Sequence, residues 1–126
     1  MDPLTIIVTA LVAGAAAGGK DAASSAVKDL YLAISSRIAE RAGRDAETVP
    51  ALARNESVPG GNIPALEALI RRNELAPDQQ LNQAARRLLA EVDGATLAHV
   101  RNQLDLAHAQ GVQVGDGNTQ TNTFNA

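Results

Sequence analysis

Residues 3–19 of this chain, Pro3 to Gly19, contain no charged side chain and would be apolar around the whole circumference of a helix. A helix of that kind must be covered on every side, by protein or by lipid. As a helix, 17 such residues would be about 26 Å long, the short limit for a membrane span. No other stretch restricts the possible folds so strongly, and four readings compete for it.

The first is a buried helix opening a helical bundle. The second is a secretory signal peptide. The small residues Ala13 to Ala17 resemble a cleavage site, but the start Met1-Asp2-Pro3 has no cationic region. The third is a phosphate-binding loop, because Gly14 to Lys20 has the G-x-x-x-x-G-K spacing. Against it, Asp21 stands where a magnesium-binding Ser or Thr belongs. Three consecutive alanines also favour helix over a phosphate cradle. The fourth is a conditional membrane segment, hidden at rest and released on activation. Leu4, Ile6, Ile7, Val8, Leu11 and Val12 would supply its apolar surface. Gly14 and Gly18 form G-x-x-x-G, a spacing that lets helices touch closely in lipid. Thr5 and Thr9 share a face and could bond across helices. Gly18-Gly19 is a natural hinge before a helix beginning near Lys20.

Composition narrows the field. Of the 57 apolar residues 25 are alanine, and Tyr31 and Phe124 are the only aromatics. The core must be thin, with helices in close approach, and a deep catalytic pocket is not expected. Cysteine is absent, which excludes disulfides and thiolate chemistry. His99 and His108 lie nine apart, with no metal-ligand spacing. The net charge of −3 gives no basic excess for nucleic acid. The chain is expected not to be an enzyme and to need no cofactor or metal.

Residues 20–110 mix 11 basic and 12 acidic side chains and read as helices. Val27, Leu30, Tyr31, Ile34, Ile38 and Ala42 recur at three- and four-residue steps, with Gly43 as a C-cap. A short helix is expected from Thr48. Val58-Pro59-Gly60-Gly61 is a turn by chemistry. Asn62 then caps a helix with Pro64 in its first turn and Leu66, Leu69 and Ile70 inward. Pro77 opens the next helix, whose stripe is Leu81, Ala84, Ala85, Leu88, Leu89 and Val92. Gly94 ends it. Leu97, Val100, Leu104 and Ala107 suit a last helix stopping at Gly111. Short connections favour an all-α, small antiparallel, four-helix-like bundle. Arg37, Arg41, Arg44, Arg71-Arg72 and Arg86-Arg87 could meet anionic headgroups, but the interspersed acids read them as solvated bundle surface.

Residues 111–126 change character to Gly, Val, Thr, Asn and Gln with a period of two. Val112 and Val114 share one face; Asn118, Gln120, Asn122 and Phe124 share another, with Asp116-Gly117 as a turn between. Such uncharged, proline-free windows match the cross-β pattern, in which stacked Asn and Gln form amide ladders every ~4.8 Å. The segment is expected to be disordered in the monomer and ordered in a stack.

Val112-Gln113-Val114-Gly115 resembles the V-Q-V-G core of the RIP homotypic interaction motif (RHIM) of animal necroptosis. The longer set Gly111, Val112, Gln113, Val114, Gly115, Asn118, Gln120, Asn122 and Phe124 resembles RHIM-like bacterial amyloid signalling sequences. Residues 1–110 are similar to the Bell domain that such motifs often follow. Bell is compared with the fungal HeLo domain and the four-helix domain of the mixed-lineage kinase-like necroptosis executioner. The resemblance implies two parts, an effector domain at 1–110 and an amyloid motif at 111–126. It implies a cell-death effector that is cytoplasmic at rest and permeabilises the plasma membrane after templating. Its partners would be further copies of itself, membrane lipids, and an NLR-like STAND ATPase bearing a matching N-terminal motif. The alternative is a soluble adaptor, recruited through the tail, in which residues 3–17 stay in the core.

Overall fold

The structure is a computed structural model that describes residues 2–18 and 25–116, with the side chains of residues 110–116 not described. Six helices account for most of them: α1 (Pro3–Gly18), α2 (Ser25–Arg41), α3 (Thr48–Ser57), α4 (Ile63–Arg72), α5 (Gln79–Glu91) and α6 (Gly94–Asp116). No strand occurs among the described residues. The all-helical expectation holds, with six helices where a four-helix-like bundle was anticipated.

α1 is the axis. It packs against each of the other five helices, and α5 and α6 both lie on it while scarcely touching each other. Its start is set by two adjacent residues. Asp2 accepts a hydrogen bond from the Thr5 backbone N–H at 2.8 Å, and Pro3 occupies the first helical position, where no N–H is needed. That backbone N–H holds the Asp2 carboxyl below its ordinary pKa. The surrounding helices turn their apolar stripes inward. Val27, Ile34 and Ile38 come from α2, Leu66, Leu69 and Ile70 from α4, and Leu81, Ala85 and Leu88 from α5.

The turns follow local chemistry, with several boundaries displaced from expectation. Gly60 has φ +84°, as the Pro59-Gly60-Gly61 turn requires. α2 ends at Arg41, which puts Gly43 in the position after the C-cap that glycine favours, as expected, but without a left-handed φ. A Cβ on Gly43 would stand 2.7 Å from the Ala39 carbonyl oxygen, so close approach explains this glycine. α5 begins one residue after Asp78, which caps it through the Leu81 N–H at 3.0 Å; Pro77 lies outside the helix. Gly94 opens α6 rather than merely ending α5, because the Asp93 carboxylate accepts from the Thr96 N–H at 2.7 Å. α4 closes in a Schellman arrangement, with Leu75 N–H on the Ile70 carbonyl and Glu74 N–H on Arg71. Its left-handed position is filled by Glu74, φ 54°, where glycine is usual. The start anticipated near Lys20 lies outside the described residues, as does Gly19 of the expected hinge.

Asp78 joins α5 to α2. Its second carboxylate oxygen accepts from Arg41 at 2.8 Å and from Arg37 at 3.1 and 3.2 Å. Burial on its own would raise the Asp78 pKa, but the Leu81 N–H and the two guanidinium groups outweigh it and hold the carboxyl below its ordinary value. A carboxyl depressed in the folded state adds stability above its unfolded pKa of about 3.9, and that part is lost as pH falls through the folded value. Asp78→Asn should therefore lower stability at neutral pH by about 1–2 kcal/mol and flatten the acid limb of a stability–pH curve. Glu74→Gly should raise the unfolding midpoint, with a gain of about 1 kcal/mol in urea titration.

Candidate functional site: the buried first helix

Ile7, Val8, Thr9, Ala10, Leu11, Val12 and Ala13 are all fully buried, and Ile6 is 4% exposed. Seven consecutive residues cover every direction around a helix, so α1 presents no solvent face through its middle. Leu4, at the start, is partly buried against the core. Gly14 is buried, and Gly18 is the last residue of the helix. The burial fits the first of the four readings and equally the hidden state of the fourth. The phosphate-loop reading is overturned: Gly14 to Gly18 continue the helix, no strand precedes them, and their backbone N–H groups point along the helix rather than into a cradle.

Polar contacts to α1 are few and specific. Asn55 of α3 is fully buried and donates its side-chain amide to the Leu11 carbonyl at 3.0 Å. The Thr9 hydroxyl donates to the Thr5 carbonyl at 2.6 Å, one turn back on the same helix. A Cβ on Gly14 would stand 2.6 Å from Cδ1 of the Tyr31 ring and 3.1 Å from a Leu88 methyl. Gly14 is therefore small because the α2 ring lies flush on α1. The Tyr31 hydroxyl donates to Glu56 of α3 at 3.1 Å. Burial, then the neighbouring Glu56 charge, pushes the Tyr31 pKa well up, so the ring stays neutral. Tyr31 and Asn55 together fasten α1 between α2 and α3.

Sequence reasoning missed both partners. Tyr31 was legible only as a member of the α2 stripe. Asn55 follows Ala51 and Leu52 on the inward face of α3, and a polar residue in that register was the available signal.

At the far end, α6 does not stop at Gly111 but continues through Val112, Gln113, Val114 and Gly115 to Asp116. Two glycines there weaken the helix without forbidding it, since Gly disfavours helix by only about 1 kcal/mol relative to Ala. Asn118, Gln120, Asn122 and Phe124 lie outside the described residues. His108 Nε2 approaches Glu67 of α4 at 2.7 Å, which ties the second half of α6 to the bundle; His99 is exposed. Among the described residues no group of His, Cys, Asp or Glu could hold a metal ion. Among them no helix is long and apolar enough to cross a membrane: the 16 residues of α1 extend about 24 Å.

The family model for the Het-E N-terminal domain matches residues 1–126, the whole of the chain. The protein belongs to this family. The Het-E N-terminal domain is a HeLo-like domain associated with cell death and heterokaryon incompatibility. No curated protein and no solved structure matches the chain. The cell-death association and the HeLo-like character expected from the sequence therefore stand at the level of the family. In this Het-E N-terminal domain the G-x-x-x-G spacing is met at Gly14 by the needs of the folded bundle itself.

Gly14→Ala tests that packing. Helix propensity alone would make the substitution favourable, whereas the Tyr31 ring leaves no room for the methyl. Overpacking should win, with a net loss of about 1–3 kcal/mol in thermal or urea unfolding. Adding Tyr31→Leu should restore part of it.

Proposed function

We propose that this protein is a non-enzymatic cell-death effector whose α1 is the membrane-active element and whose tail receives the signal by amyloid templating. The observation that carries this reading is the burial of a charge-free helix as the axis of an alanine-rich bundle. An ordinary bundle helix needs one apolar stripe; α1 is apolar on all sides and equally suited to lipid. The family's cell-death association supports the same direction.

In this reading an NLR-like receptor presents clustered copies of a motif like that of residues 111–126. Tails of this protein add to the template strand by strand, with Val112 and Val114 buried in the stack and Asn118, Gln120 and Asn122 in amide ladders. Tethering raises the local concentration of bundles to roughly millimolar. The bundles open, and residues 3–18 enter the plasma membrane. At about 24 Å the helix is shorter than a ~30 Å hydrocarbon core, so insertion thins the bilayer or recruits the residues that follow Gly18. The chain is cytoplasmic before activation.

A soluble adaptor is the second reading, and the Gly14–Tyr31 contact favours it, because it explains the small residue without lipid. Dye leakage from anionic liposomes separates the two. Full-length protein should release dye only when preformed fibrils of a 111–126 peptide are added. Val112→Asp/Val114→Asp should abolish release while leaving the helical circular dichroism intact. Fibril capture without release would assign the adaptor role. A peptide that forms no fibrils would remove the templating step.

A further inference from the structure

Among the described residues, shallow grooves run between the helices, and four of them differ in charge. One between α2 and α5 sets Arg37 beside Glu40. A second sets Arg87 among Asp29 and Glu91. A third, between α1 and α6, sets Arg101 and His108 beside Asp2 and Asp105. The fourth is lined by Ile6, Arg86, Leu89, Ala90, Leu97 and Arg101, two cations with no carboxylate. It occupies the gap between α5 and α6, where each helix packs on α1 but hardly on the other. Arg86 stands on the α5 wall and Arg101 on the α6 wall. Neither makes an ion pair or hydrogen bond among the described residues, whereas Arg37, Arg41 and Arg72 are all engaged with carboxylates. Arg101 stands between two grooves: it also lines the neighbouring one, where Asp2 and Asp105 lie, without an ion pair to either.

We infer that this cleft, with Arg86 and Arg101 on its two rims and Ile6 of α1 at its base, docks an anionic phospholipid of a membrane surface. The argument is complementarity. A phosphate group satisfies two unpaired guanidinium groups on facing walls, since guanidinium presents paired N–H donors to phosphate oxygens. Leu89, Ala90, Leu97 and Ile6 then meet the apolar part of the same molecule. A free phosphate would use only the rims and leave the apolar base without a counterpart. In a chain of net charge −3, a groove whose charged lining is cationic alone is a local site to turn toward an anionic leaflet. The site lies directly on the helix assigned to insertion, so it rests on the membrane reading and supplies its lipid class.

The test is flotation of the full chain with vesicles of phosphatidylcholine alone or mixed with phosphatidylglycerol. Two arginines at an anionic surface correspond to roughly thirtyfold in affinity when fully engaged. Arg86→Gln/Arg101→Gln should remove most of the preference for anionic vesicles. Arg44→Gln/Arg54→Gln, with the same change in charge elsewhere, should leave it within about twofold of the parent, as expected if position rather than total charge decides. Both pairs are exposed, and unchanged thermal melts confirm that the folds are kept.

Equal losses for the two variants would overturn the site in favour of diffuse electrostatics. Equal binding to both vesicle types would overturn it outright. Displacement by glycerol 3-phosphate as effectively as by lipid would assign the rims to free phosphate and overturn the lipid. Leakage read on the same samples separates this site from the effector reading. Arg-dependent binding with no fibril-triggered leakage keeps the site and rejects the effector. Fibril-triggered leakage with Arg-independent binding keeps the effector and rejects the site.

Discussion

A helix with no polar side has to be enclosed, and the enclosure of α1 determines the arrangement of everything else. Residues 7 to 13 are buried in every direction. Five further helices therefore converge on a single axis, and each needs only one apolar stripe to do so. The alanines make this possible in a short chain. Small side chains at Ala10, Ala13 and Ala17 on α1 and Ala85 on α5 let backbones approach closely, so that five short helices suffice to enclose the middle of α1. The same economy limits the apolar area per helix, and specificity falls to a few fitted contacts. The Tyr31 ring against Gly14 is one, and Asn55 on the Leu11 carbonyl is another.

Around this axis the charged residues act as ties between neighbouring helices. Asp78 caps α5 and holds two arginines of α2. Asp45, in the connection after α2, accepts from Arg72 at 2.7 Å and Asn73 at 2.9 Å at the end of α4. The Arg72 guanidinium, then the Glu47 N–H, hold the Asp45 carboxyl far below its usual range. Glu67 meets His108 across α4 and α6. The ties differ in worth. Asp78 is buried, and removing one partner would strand a charge, whereas Arg72 is half exposed and its pair is screened by water. Register between helices is thus fixed by geometry at a few buried polar atoms more than by the number of surface pairs.

Much of this was legible in the sequence, because the signals were local and periodic. The apolar stripes of α2, α4 and α5, the Pro59-Gly60-Gly61 turn and the start of α3 at Thr48 all follow from spacing and turn chemistry. Asp2-Pro3 is a helix-start signature of the same kind, and it was legible only as the absence of a cationic leader. What spacing could not convey was tertiary. Nothing in the string G-A-A-A-G says whether glycine is needed for a lipid-embedded neighbour, a phosphate or an aromatic ring; the Tyr31 ring, 17 residues away, decides it. The role of Asn55 depends on an acceptor 44 residues distant. The end of α6 shows a different limit, since Gly111 has the chemistry of a stop and the backbone helix passes through it. Arg86 was visible as one of a pair with Arg87, but its partner across the cleft is Arg101, one helix further on.

The central position of α1 also constrains any mechanism in which it leaves. Withdrawing a peripheral helix exposes one stripe, but withdrawing the axis removes the surface on which α5 and α6 are both seated. Those helices have almost no contact with each other to fall back on. Release of α1 therefore removes the shared partner of all five helices and leaves mainly the α2–α5 packing, so its free energy is a large part of the domain stability of roughly 5–15 kcal/mol. Local fraying at a hinge cannot provide that. The compensation has to come from lipid accepting the apolar helix and from many copies held together, so that opened bundles meet partners before they refold. In the proposed mechanism, a cleft that brings lipid to Ile6 before opening would shorten the step in which α1 is covered by neither protein nor membrane. In that mechanism the interval is the barrier, and it would keep the chain closed until both a template and a membrane are present.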